Sequence, residues 1–211
     1  MSEINYNWFT GNKIKVGIYG ESHSQSIGVR LEGLDVKDVD KEALAAFMKR
    51  RAPGQNAWST PRKEADEVIF DKCEDKIVEA HICNTNIKPK DYSNLLRTPR
   101  PAHADYTARI KYGESFNSSG GGAFSGRLTA PMCIAGFIAS EELKKYGIKI
   151  SAHIKSIAGI KDESYYDGSA DFLTKLSDVR IYDVNYEFEK VNDKVLNLVI
   201  FVKEEKKKKN K

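Results

Sequence analysis

From residue 13 the chain alternates, with Ile14, Val16 and Ile18 apolar between polar or small neighbours, and it closes on Gly20. A period of two marks a strand with one buried face, and a terminal glycine marks the turn that ends it. IGVRLEG, residues 27–33, repeats the pattern on the way back, so GESHSQS lies in the connection between two strands. The period then lengthens. In KEALAAFMKRR, Leu44, Phe47 and Met48 share one helical face; Asp40 is placed to cap the helix and Lys49, Arg50 and Arg51 to close it, where cations meet the favourable end of the dipole. Pro53 and Gly54 stop it.

Residues 66–70 and 76–83 (KIVEAHIC) predict a strand pair, and Asn84 to His103, rich in Pro, Asn and Lys, a long loop of the functional or disordered kind. LTAPMCIAGFIASEELKKYG, following Arg127, predicts a helix of about 18 residues, with Pro131 in its first turn and Gly147 at its end. Its small residues Ala130, Ala135, Gly136 and Ala139 suit close packing on another helix or a sheet. IKISAHIKSIAGI (148–160) predicts a strand, and YEFEKVNDKVLNLVIFVKEEK (186–206) a final amphipathic helix. No repeat or linker is visible, so residues 1–211 read as one domain or a piece of one.

At 211 residues and 40% hydrophobic content the chain can bury a substantial core. The net charge of +4 is modest, and much of it sits in the last segment, KEEKKKKNK (203–211), a basic tail expected to be disordered. A nucleic-acid partner is therefore not expected. Cys73, Cys83 and Cys133 are odd in number and widely spaced, which points to neither a disulfide framework nor a metal site. With no signal pattern at the start and no apolar run of roughly 18 residues, a soluble, cytoplasmic protein without a membrane partner is expected.

Candidate chemistry lies in the connections. SGGGAFSGR (119–127) sets three glycines before a helix, which serves either a flexible loop or a backbone that must approach an anion closely. It fits neither the dinucleotide fingerprint nor the P-loop. His23 sits among small polar residues in the first connection, and His103 follows Arg97 and Arg100 and precedes Asp105, which could hold its tautomer or raise its pKa. His81 and His153, inside strands, read as structural. Helix capping alone could account for Arg50 and Arg51, and Arg62, Arg97, Arg100 and Arg127 also fall in loops or at element ends, where rigid guanidinium forks suit carboxylate and phosphate groups. Nothing resembles a nucleophile elbow with its triad, so a hydrolase is disfavoured.

The segments GESHSQSIGVRLEG, MKRRAPGQNAWSTPRKEAD, NTNIKPKDYSNL, PRPAHADYTARIKYG, GGGAFSGRLTAPMCIAGFIA and HIKSIAGIKDE together resemble, in order, chorismate synthase, over roughly residues 10–165. The resemblance implies an α+β fold, a β-α-β sandwich with helices between antiparallel sheets, here incomplete. It implies a carbon-oxygen lyase of the shikimate pathway that eliminates phosphate from 5-enolpyruvylshikimate 3-phosphate to give chorismate. Reduced FMN (FMNH2) is required without net redox change, NADPH is a source of flavin reduction in some members, and the family is homotetrameric. By the same resemblance His23 protonates the departing phosphate and His103 assists protonation of the flavin. Arg51 holds substrate or nucleotide, Ala123, Phe124 and Ser125 meet FMN, and Arg127 faces substrate anions. Several positions depart from the family pattern: Ser24 and Ala102 stand where glycine is common, Ala123 and Phe124 where hydrogen-bonding side chains are, and Ala57 where an arginine is. Family members run well past 300 residues, so a truncated synthase is expected, the alternative being a non-catalytic remnant that binds flavin or phosphate-bearing small molecules.

Overall fold

A computed structural model describes residues 4–53, 64–85, 87, 98–113, 120–157, 160–161 and 196–204. The chain divides into two compact units, Met1–Ile138 and Ala139–Lys211. In the first, strands β1 (Asn7–Thr10), β2 (Lys15–Gly20), β3 (Ser26–Glu32), β4 (Ile69–Glu74) and β5 (Ile77–Cys83) form an antiparallel sheet of order β1-β2-β3-β5-β4. β1 is an element the sequence reading missed; among the described residues it pairs only with β2, and all four of its residues are exposed.

The alternation in β3 and β5 sets the buried face. Ile27 pairs with Ile82, Val29 with Ala80 and Leu31 with Val78, and all six side chains are at most 2% exposed. Helix α1 (Lys41–Arg51) brings Leu44 and Met48 to that face, and helix α3 (Thr129–Lys144) brings Ala130, Ile134 and Ile138. Phe47 of α1 meets Phe137 of α3 with ring centroids 5.5 Å apart, joining the two helices over the sheet. Each fully buried Ile, Leu or Met is worth roughly 1.5–3 kcal/mol of transfer free energy, so this layer supplies most of the unit's cohesion. As expected, Asp40 caps α1, its carboxylate accepting from Ala43 N at 2.8 Å, and Ala52 N closes the other end on Met48 O.

Turns account for the register. Asp75 and Lys76, at φ +52° and +60°, join β4 to β5 in the doubly left-handed conformation of a tight hairpin. The strand pair accordingly runs 69–74 and 77–83, shifted by a few residues from the expected 66–70 and 76–83. On the open face, Trp8 lies over Gly17 and Tyr19 over Gly28: a Cβ on Gly17 would come 2.9 Å from the indole, and one on Gly28 2.3 Å from the phenol ring. Each aromatic ring covers the glycine opposite it, as their cross-strand pairing requires.

Helix α2 (Asp105–Tyr112) follows the loop, and two short 3-10 turns, Gly122–Phe124 and Gly126–Leu128, lead into α3. The second unit holds strands β6 (Ile148–Ile157), β7 (Ile160–Lys161) and β8 (Leu196–Glu204), antiparallel in the order β7-β6-β8. β8 corrects the expected final helix. LNLVIFV is rich in β-branched and large apolar residues, and nine paired positions along β6 outweigh the helical spacing that the flanking polar residues had imitated. Residues 186–195 and 205–211 lie outside the described residues. The architecture is α+β, with helices on an antiparallel sheet.

Candidate functional site

The β2–β3 connection carries His23. Ser24, in place of the expected glycine, locks this turn: its Oγ accepts from Glu21 N at 2.9 Å and lies 2.6 Å from Ser26 O and 3.0 Å from Glu21 O, either of which can take its proton. Asn84, at the end of β5, fastens the same turn from the other side, with Nδ2 donating to Ser24 O at 2.8 Å and to Glu21 O at 3.3 Å and its backbone N donating to Gln25 O at 2.9 Å.

Against this turn lies the glycine segment. Gly120, Gly121 and Gly122 have φ of +68°, +145° and +53°, conformations that L side chains rarely adopt. Gly120 abuts the half-buried His23: a Cβ there would lie 2.5 Å from the imidazole Cδ2 and 2.6 Å from Nε2. Ser22 N donates to Gly122 O at 3.4 Å. Gly120 thus leaves room for the His23 ring, which a side chain there would displace. Ser125 Oγ accepts from Arg127 N at 3.2 Å, while Phe124 is 53% exposed and packs on Tyr112 of α2 at 6.4 Å.

Arg127 enters the cluster from below. Its guanidinium is buried, with Nε donating to Asn84 Oδ1 at 3.1 Å and lying 3.2 Å from Glu64 Oε2, and Nη1 bound to Asp66 Oδ1. Asp66 Oδ2 holds Arg51 Nη1, and Arg51 Nη2 reaches Thr129 Oγ1 at 3.4 Å. Glu64 Oε1 accepts from Thr85 N at 3.1 Å. Two guanidiniums are therefore met by two carboxylates that are almost fully buried, in a cluster with no net charge among these four. Nη2 of Arg127 is buried without a hydrogen-bond partner among the described residues. Spacing gave no role to Glu64, Asp66 or Asn84, which the sequence carried only as members of the matching segments MKRRAPGQNAWSTPRKEAD and NTNIKPKDYSNL.

His23, Arg51, Arg127 and the glycine segment thus form one connected cluster. His103 stands apart, exposed in the turn before α2, and no hydrogen bond or ion pair among the described residues joins it to the other three. Asp105 does not hold its imidazole. That carboxylate accepts from Arg100 N at 3.0 Å, Nε at 2.7 Å and Nη2 at 2.8 Å, and chiefly these bonds lower its pKa from 3.8 to about 2. Arg100 is thereby committed to structure. Arg62 and Arg97 lie outside the described residues. His81 pairs with Asp71 at 2.7 Å on the open face of the sheet. Burial raises the thiol pKa of Cys73 and Cys133, which leaves little reactive thiolate at either.

Among the described residues no helix is long and apolar enough to cross a membrane. A family model for chorismate synthase matches residues 14–208. Chorismate synthase of Lancefieldella parvula is 42% identical over 163 residues, 74% of this chain and 43% of that protein. The corresponding protein of Methanocaldococcus jannaschii is 39% identical over 188 residues, 82% of this chain and 48% of its own. A crystal structure of chorismate synthase superposes with a TM-score of 0.57 at 18% identity, covering 89% of this chain and 53% of that one. The chain spans about half the length of the curated relatives it matches. With the matched residues running from the second strand to the end of the last, and the fold shared, this chain belongs to the chorismate synthase family.

Proposed function

We propose that this chain carries part of a chorismate synthase active site and serves the elimination of phosphate from 5-enolpyruvylshikimate 3-phosphate to give chorismate. The observation that supports this most is the contact of His23 with Gly120, beside a turn tied through Asn84 to Arg127. It places an imidazole, a left-handed glycine backbone and a guanidinium within one hydrogen-bonded cluster. His23 holds a proton on its ring nitrogen for the departing phosphate, a general-acid task suited to imidazole near neutral pH. Arg51 and Arg127 orient the substrate's anionic groups through their remaining N–H donors, of which Arg127 Nη2 is buried and unmatched by any described residue.

The residues also fit a flavin. Gly120 to Gly122 offer a side-chain-free wall, and Phe124 an exposed aromatic ring beside Ala123 and Ser125. Reduced FMN, when bound, supplies electron density to the breaking C–O bond with no net redox change. The resemblance gives His103 a second proton-holding role, toward the flavin, and gives Arg51 the phosphate of a nicotinamide nucleotide where NADPH reduces the flavin. The reading includes a cytoplasmic homo-oligomer, tetrameric as in the family.

Phosphate release from 5-enolpyruvylshikimate 3-phosphate, measured anaerobically with dithionite-reduced FMN, tests it. Release is expected, and His23→Ala is expected to slow it by about a hundredfold or more. Gly120→Ala, whose new methyl displaces the imidazole, is expected to lower the rate and shift the His23 ring resonances. One observation favours a second reading, a non-catalytic chain that binds phosphate-bearing small molecules or flavin: Asp66 and Glu64 neutralise Arg51 and Arg127, leaving less field to stabilise a leaving dianion. Binding of substrate and FMN without release identifies that case.

A further inference from the structure

We propose that Asp66 is a positioning residue that sets the spacing and aim of Arg51 and Arg127 toward a phosphate-bearing ligand. The proposal rests on the reading above, in which these two guanidiniums take the substrate's anionic groups. A single carboxylate divides its two oxygens between them, Oδ2 to Arg51 and Oδ1 to Arg127. Those arginines come from the end of α1 and the turn before α3, 15 and 61 residues away in sequence, so no local geometry would bring them together. Two like charges repel, and an anion between them turns that repulsion into a bridge.

Three features separate this from a surface ion pair. The Asp66 side chain is fully buried, so water does not compete for its oxygens. Its backbone is left-handed, φ +52°, a conformation uncommon for a residue with a side chain and kept where the surroundings over-determine it. Finally, the other edge of Arg127 is held too, by the hydrogen bond from Nε to Asn84 Oδ1, with Glu64 Oε2 3.2 Å from the same nitrogen as an ion-pair partner. With Nε and Nη1 both held, the direction of the remaining Nη2 is determined by the fork's rigidity. The arrangement predicts recognition by directed donors more than by net positive field, because Asp66 and Glu64 balance the two charges.

The test uses the whole chain and 5-enolpyruvylshikimate 3-phosphate without reduced flavin, with binding followed by calorimetry. Asp66→Glu keeps the charge but moves the carboxylate by one methylene; Asp66→Asn keeps the shape but puts an N–H group against a guanidinium. Affinity is expected to fall roughly tenfold in the first and up to about a hundredfold in the second, as expected for displaced charge-assisted hydrogen bonds. The Nε–H resonance of Arg127 is expected to shift in both, a signature that a purely structural loss of stability would not produce in the folded fraction. In an Arg127→Met background the Asp66→Glu effect should shrink, since much of it acts through that side chain. If Asp66→Asn fails to fold, Asp66→Glu carries the decision. Wild-type affinity in Asp66→Glu, while Arg51→Met and Arg127→Met lose it, overturns the role of Asp66 alone. Should the two arginine variants bind like the wild type, or the wild type not bind, the functional reading falls and this proposal with it.

Discussion

Asp105 follows His103 by two residues, and nearness in sequence predicts a partnership between them. In the folded chain the carboxylate turns instead to Arg100, whose backbone and guanidinium donate three bonds to it, because a bidentate fork outcompetes one imidazole N–H. The folded-state pKa is lowered from 3.8 to about 2, so the stabilisation is present above the unfolded value and is lost as pH falls through the folded one. Asp105→Asn lacks it at every pH. Thermal unfolding is therefore expected to show a constant deficit for the variant above about pH 5 that shrinks between about pH 4 and pH 2. A deficit that stays unchanged across that window would contradict the assignment.

Elements reveal a different balance. The alternation of β2 and β3, the capped periodicity of α1 and the apolar α3 were all legible because each buries one regular face, which writes its period into the chain. β8 was not legible as a strand, since the five-residue apolar run from Leu198 to Val202 has no period of its own and its neighbours' spacing imitated a helix. The β4–β5 turn was legible only as a boundary. With Asp75 and Lys76 both left-handed and neither a glycine, the hairpin stores strain that Lys76→Gly would release, while the bond from Gly33 N to Lys76 O at 2.9 Å is retained. That variant is expected to gain about 0.5–1 kcal/mol in urea unfolding, an Ala-like strain relief partly offset by the freedom glycine adds to the unfolded chain.

For the molecule as a whole, the first unit stands on one apolar layer between its sheet and two helices. Leu44 is 1% exposed within it. Leu44→Ala removes three carbons from a site ringed by regular elements, so a cost of about 2–5 kcal/mol is expected, read as a lower urea midpoint at an unchanged slope. A loss below about 1 kcal/mol would mean that the helix is not held by this layer.

Residue order alone determined β2, β3, α1, α3 and the existence of the β4–β5 pair, but not β1 or α2, and, through six matching segments, the family. It also singled out His23, His103, Arg127 and the glycine triplet, because unusual residues in connections need a reason that packing does not supply, while Arg51, at the end of α1, drew notice only through the resemblance. Only the tertiary structure decided which of them meet. Arg127 reaches Asn84, Asp66 and Glu64 from 43, 61 and 63 residues away, and Arg51 shares Asp66 with it. A one-dimensional pattern encodes periods and caps, which are local; the division of one carboxylate between two distant guanidiniums depends on how strands and helices pack, and no spacing in the chain carries it.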